Sequence, residues 1–361
     1  MQFWRNIGFC LLLCISGITY SCSSNENYET IAESPVVCDL SQVPYPKLSD
    51  YHFFDGELKN LQPALGVLPY KPASELFSDY ALKKRFVWMP KNTKATYVND
   101  HSILNLPTGS VVIKVFYYTN VQPSNTTKII ETRLMIKKES GWIFAQYIWN
   151  DNQTDAILTN QSTTRTIQWK DENNIVQTVE YRTPEADYEC NRCHSTINTD
   201  YKFPLGIKPQ NLNFNYNYND GIKNQLDKWI EMGYLEDNLP NTIVSIADYR
   251  DASQPLNLRV RSYFDANCAH CHVTGGEAGH MNLRFSFNET INPSKMGVNR
   301  LAAHYLQGYN NLIIQPGNYG QSILHYRINT ENDILYIMPP LGRTKKHVEG
   351  VNLVEEWINS L

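Results

Sequence analysis

Two short stretches of the chain carry residues whose types and spacing can hold a redox cofactor. They read Cys190-Asn191-Arg192-Cys193-His194 and Cys268-Ala269-His270-Cys271-His272. Both are C-x-x-C-H, the signature of covalent haem attachment. The spacing follows from the chemistry: two thiols add to the two haem vinyl groups, and the histidine directly after them binds the iron from below. The competing reading is a zinc or redox C-x-x-C with a chance histidine, and a second copy in the same chain weakens it. The sequence therefore predicts two covalently attached haem c groups, with Cys190, Cys193, Cys268 and Cys271 as attachment sites and His194 and His272 as iron ligands.

A sixth iron ligand for the second haem must come from downstream. Met338, in Ile337-Met338-Pro339-Pro340, is the best placed, because the two prolines fix the backbone around a flexible side chain. A neutral thioether favours ferrous iron and raises the potential, which suits electron transfer. His347 is the runner-up, and a His/His site would lower the potential. For the first haem, Met232 and Met281 lack a Met-Pro context, and His270, His280, His304 and His325 are further possible partners, His270 also serving as a spacer of the second motif. An open sixth position would admit ligand binding or peroxide chemistry. No Ser/His/Asp arrangement and no phosphate-cradling loop is present, Asp155 and Glu131 read as surface or structural carboxylates, and no catalytic residue is assigned.

The elements that must position these sites change character along the chain. From Pro46 to about Thr183 the texture is β-rich: Ser110–Tyr118, Thr127–Ile136 and Trp142–Trp149 are dense in β-branched and aromatic residues, with turn signals at Lys138–Gly141 and Asn99–Asp100. Short strands at regular spacing predict a sandwich-like or barrel-like module. After Pro184, apolar residues recur at helical spacing over Ile222–Gly233, Leu256–Asn267 and Val351–Leu361. The last two helices are expected to pack together around the haem edge. The fold class predicted is thus α+β and multidomain: an N-terminal β-rich sandwich-like module over 45–184, then a mainly α-helical cytochrome c-type region over 185–361 that holds both haems. No internal repeat of solenoid or propeller kind is found.

The N-terminus sets the compartment. Residues 1–21 pair a basic start with an apolar run too short to span a membrane, so they read as a secretion signal. Ser21-Cys22 resembles a bacterial lipobox, which makes Cys22 the lipidation site and 22–44 a lipid-anchored flexible tether. Of the eight cysteines, Cys10 and Cys14 leave with the signal, Cys22 takes lipid and four belong to the haem motifs. Only Cys38 remains, an incidental thiol without an internal disulfide partner. A net charge of -4 and the lack of a basic run exclude a nucleic-acid partner.

Several stretches together carry a likeness: Phe77-Ser78-Asp79-Tyr80-Ala81, Ile130-Glu131-Thr132-Arg133-Leu134, Tyr147-Ile148-Trp149-Asn150-Asp151, Pro209-Gln210-Asn211-Leu212-Asn213, and Arg259-Val260-Arg261-Ser262-Tyr263 before the second motif. The chain resembles an uncharacterised family of diheme c-type cytochrome lipoproteins whose members are often encoded beside parallel β-helix proteins. That resemblance implies two covalent haems on the matching residues and a place in the cell envelope, periplasmic or surface-exposed. The expected role is electron transfer with redox partner proteins of the envelope, on a membrane reached through the lipid anchor. The alternative is a haem-dependent oxidoreductase, a diheme peroxidase or small-molecule oxidase with an open first haem. A third possibility makes the β module a docking unit for a carbohydrate or partner protein.

Overall fold

β-Branched and aromatic runs hold the chain extended where the sequence is densest in them. The computed structural model describes residues 33–197 and 201–361, so the signal segment and Cys22 lie outside the described residues. Six strands follow one another in space as well as in sequence: β1 (Leu68–Tyr70), β2 (Leu82–Trp88), β3 (Val111–Val121), β4 (Thr126–Lys138), β5 (Gly141–Trp149) and β6 (Ala156–Leu158). A hairpin of β7 (Thr164–Lys170) and β8 (Val176–Arg182) joins where Trp169 pairs with Val121 at the end of β3. All pairings are antiparallel. Gly141 makes the tight β4–β5 turn at a φ of 118°, a conformation that favours glycine.

Register decides what each face carries, because successive side chains alternate sides. Val115 lies opposite Thr132 and Thr132 opposite Tyr147. Their face packs against Leu48, Tyr51, Phe53 and Val67 of the preceding chain. On the other face Arg85 lies opposite Lys114, Lys114 opposite Arg133, and Arg133 opposite Gln146. A row of charge thus crosses a face that is otherwise apolar, through Val87, Val112 and Met135.

The expected sandwich is replaced by one eight-stranded sheet. Alternation in the sequence shows that a strand has a face to bury but not what covers it, and here the cover is irregular chain. Part of that cover comes from the segment read as a tether: Val36, Cys38 and Leu40 pack against the sheet core and Val43 is buried. Cys38 is therefore no thiol on a loose stretch, and burial pushes it up to about 11.

A mainly α-helical cytochrome domain is likewise absent from the described residues. Six α-helices occur, α1 (Ala186–His194), α2 (Pro209–Leu212), α3 (Gln225–Glu231), α4 (Leu256–Asn267), α5 (Ile323–Asn329) and α6 (Val348–Asn359). Between α4 and α5 the chain runs through 3-10 turns and loops, where Asn, Gly and Pro punctuate every few residues and leave no continuous apolar stripe. The helix expected over 222–233 begins only at Gln225, capped by the Asn224 side chain accepting from Leu226 N at 2.9 Å. Asn219-Asp220 turns a hairpin before it, between β9 (Asn215–Tyr218) and β10 (Gly221–Asn224), a turn dipeptide that overrides the helical spacing.

The pairing of α4 with α6 is as the apolar spacing predicts. Val260, Phe264, Val354, Trp357 and Ile358 are buried together, each side chain contributing about 1.5–3 kcal/mol. Gly350 permits the approach, since a Cβ there would overlap the Tyr263 hydroxyl. Ser34–Leu361 forms one compact unit, with the sheet leading into α1 near residue 184.

Candidate functional site

The first C-x-x-C-H lies on α1, where positions i, i+3 and i+4 share one side of the helix. Cys190, Cys193 and His194 therefore point together. Glu189 fastens the start of the helix, accepting from Glu185 N at 2.7 Å and from Arg182 at 3.0 Å. The His194 ring donates from Nδ1 to the Phe203 carbonyl at 2.9 Å, and Phe203 N returns a bond to the His194 carbonyl at 2.8 Å. A carbonyl can only accept, so this contact places the proton on Nδ1 and leaves Nε2 with its lone pair. Burial pushes the imidazole down to about 4, so it is neutral at ordinary pH. Phe144 of β5 meets the ring edge-on at 5.4 Å and seats α1 on the charged face of the sheet.

The second motif begins where α4 ends. Cys268 is the helix C-cap, and His272 N turns back to the Cys268 carbonyl at 3.0 Å. Gly276 lies so near the Cys271 carbonyl that a Cβ would come to 2.5 Å from it. His272 is pushed down to about 4, chiefly by burial, and its Nδ1 is buried with no hydrogen-bond partner. Cys268 is pushed up to about 12 by burial. An apolar cleft opens beside these residues, lined also by Phe285, Leu324 and Met338.

Met338 is held at its backbone, not at its sulfur. Its N–H donates to Arg327 O at 2.8 Å, and its carbonyl accepts from Arg343 Nε at 3.1 Å and Nη2 at 2.8 Å. The buried Arg343 also donates to the carbonyls of Arg327, Thr330 and Lys345. His347 lines the same cleft but is engaged elsewhere. Its ring stacks on Phe77 at 4.3 Å, with Tyr263 Oη 3.3 Å from Nδ1 and Glu349 3.5 Å from Nε2.

The two motifs, 74 residues apart from His194 to Cys268, meet in space. Sγ of Cys193, a ring nitrogen of His270 and Sγ of Cys271 all lie within 4.8 Å of one another. The Cys271 thiol donates to the Arg192 carbonyl at 3.8 Å, and the closeness of the two thiols holds Cys193 well below the usual thiol range and lifts Cys271 above it. Arg192 pairs with Glu277 at 2.8 Å and Ile197 N donates to Gly275 O at 2.6 Å, closing the same junction. His270, read as a spacer, thus stands beside the first motif. His304 lines the second cleft with Met338, and His325 is tied to Glu355 at 2.7 Å.

A loop before β2, residues 71–81, brackets the arrangement. Phe77 N donates to Asn267 Oδ1 at 2.8 Å, and Asp79 accepts from the backbone of Thr344 and Lys345 at 2.7 and 2.8 Å. The Tyr118 hydroxyl of β3 donates to the Asp79 carbonyl at 2.6 Å. This bracket joins the sheet to the second motif through contacts some 190 to 270 residues apart in sequence, which periodicity does not reveal. Asp155 and Glu131 are structural. Asp155 accepts from Ser49 Oγ at 2.7 Å, and Glu131 is held by Arg133 and by Tyr181 Oη at 2.6 Å.

Compared with known proteins, the chain matches no protein-family model, no curated protein and no solved structure. The likeness to diheme lipoproteins therefore rests on the residues quoted for it. Among the described residues no helix is long and apolar enough to cross a membrane.

Proposed function

We propose that this chain is an envelope-anchored diheme c-type cytochrome, joined to its membrane through Cys22, that passes single electrons between partner proteins. The observation that carries the reading is that each C-x-x-C pair is followed by a half-buried imidazole held in its neutral form, the form that can bind iron. His194 has the outer hydrogen bond to a carbonyl that orients a metal-binding histidine. His272 has a buried ring nitrogen left without a partner, a costly state that a ligand would relieve. Cys190 and Cys193 would hold one haem and Cys268 and Cys271 the other, and when bound each haem supplies a one-electron iron couple. Met338 is favoured over His347 as the second haem's further ligand, because the imidazole nitrogens of His347 are already engaged while Arg343 fixes the Met338 backbone and leaves its thioether uncommitted. Apolar walls around His272 exclude water and favour a raised potential.

A second reading rests on Cys193, His270 and Cys271. Three such donors within 4.8 Å are a zinc-type set with one position open. Cys193 and Cys271 cannot serve both a zinc ion and the thioether bonds, so one preparation separates the two. A visible spectrum with two haems per chain after alkaline pyridine treatment, followed by a two-step reductive titration, is the outcome expected of the cytochrome. Colourless protein carrying one zinc per chain would replace it with the metal site.

A further inference from the structure

The row of charge on the sheet face that carries α1 has more cations than partners. Arg85 pairs with Glu75 at 2.9 Å, and Arg133 grips Glu131 at 2.6 Å. Asp79, the other nearby carboxylate, is occupied by the backbone amides of Thr344 and Lys345. That leaves Lys83 and Lys114, on adjacent strands of the same face, without a hydrogen-bond or ion-pair partner among the described residues. The Lys114 ammonium stands over the Phe116 ring, 4.9 Å from its centroid. Glu75, Glu131 and the amide-bound Asp79 offset part of the charge of this row, and Lys83 and Lys114 are its two cations with no carboxylate bonded to them among the described residues.

Unpaired ammonium groups crowded together in low dielectric repel one another and lose hydration, and an opposing anion removes both costs. Burial and the neighbouring Arg85 already push Lys83 down to about 7, and Lys114 lies well below the usual lysine range for the same reasons. The place of the pair identifies the anion. Phe144, on the same face, touches the His194 ring, so the row runs under the first attachment motif.

We propose that Lys83 and Lys114 are the cationic seat for the two propionates of the haem held by Cys190 and Cys193. The assignment rests on the cytochrome reading above. It fits in number, since a haem presents two carboxylates and the row has two ammonium groups without a direct partner among the described residues. It also explains why a lone lysine interrupts Val111-Val112-Ile113-Lys114-Val115-Phe116, a run whose other members are all buried.

The test uses the full-length protein with its haems attached. Lys83→Met and Lys114→Met remove one charge each, and Lys83→Arg and Lys114→Arg keep it. Both haems stay bound, because attachment is through cysteine. In each Met variant the midpoint of the haem lacking a sulfur–iron charge-transfer band falls, the other midpoint stays, and the Arg variants return to the parent value. Lys83→Gln and Lys114→Gln, which retain a donor without the charge, show the same fall and serve if a Met variant does not fold. Folded variants with two haems and unmoved midpoints would overturn the seat while leaving the cytochrome reading intact. Parent protein without haem would overturn both. A parent midpoint that shifts on adding a free dicarboxylate, with variants that no longer respond, would assign the pair to a soluble anion and overturn the proposal too.

Discussion

The sulfur atoms of Cys193 and Cys271 lie within 4.8 Å of each other, although they belong to different C-x-x-C-H motifs. On the cytochrome reading proposed above, attachment sites this near would bring both haems to one junction, and an electron would pass between them without leaving the protein. Two porphyrins so tethered couple optically. The loaded protein should show a two-signed circular dichroism couplet in its main haem absorption band, and a single-signed band would contradict the juxtaposition.

Met338→Ala should leave the protein folded, at some cost in packing against the core, because Arg327 and Arg343 hold the backbone there. The sulfur–iron charge-transfer band should vanish and one midpoint should fall, as loss of a thioether ligand requires. His347→Phe should leave that band in place. The reverse pattern in visible and paramagnetic resonance spectra would exchange the two roles.

Arg343→Met should be far more damaging than its place in a loop suggests. One buried guanidinium satisfies the carbonyls of Arg327, Thr330, Met338 and Lys345. Their loss should cost about 3 kcal/mol or more, since hydrogen bonds to a charged donor are each worth about 1.5–3 kcal/mol. Urea unfolding reads the cost, and a loss within experimental error would show that the clamp is dispensable.

Asn267→Ala tests the bracket between sheet and second motif. The Asn267 side chain accepts from Phe77 N and donates to Tyr263 O at 3.0 Å. Removing it leaves Phe77 N unpaired, at about 1–3 kcal/mol for a buried group. Amide exchange should rise at Phe77 ahead of the sheet, and unchanged protection there would refute the link.

Acid should destabilise the protein through His347. Burial, with lesser repulsion from Lys83, Arg250 and Arg343, pushes its imidazole down to about 3. The unfolded chain takes up that proton near pH 6.5 and the folded chain resists it, so the contribution is whole above about pH 6.5 and fades toward pH 3. Replacement by Phe, which keeps the stack on Phe77, should flatten the stability curve over that window. An unchanged slope would place the acid sensitivity elsewhere.

How far these features are legible in the sequence depends on how local they are. Strands 111–121, 126–138 and 141–149 and helix 256–267 follow from runs and periods within a dozen residues. Cys190, Cys193, Cys268 and Cys271 with their histidines are marked by spacing alone. The junction of Cys193 with Cys271, the Asp79 contacts to Thr344 and Lys345, and the irregular cover over the sheet depend on pairings between distant segments. Asn219-Asp220, followed by Gly221, was a legible turn whose signal outweighs the apolar period through Ile222. Lys114 was legible in part: one charge inside a run buried on both faces signals a buried cation, though not its partner.

The most direct measurement is the intact mass of the mature protein after denaturation and treatment with a thiol alkylating reagent. The expected mass is polypeptide plus the Cys22 lipid and two haems, with Cys190, Cys193, Cys268 and Cys271 all refractory to the reagent. Bare polypeptide with those four thiols alkylated would contradict it.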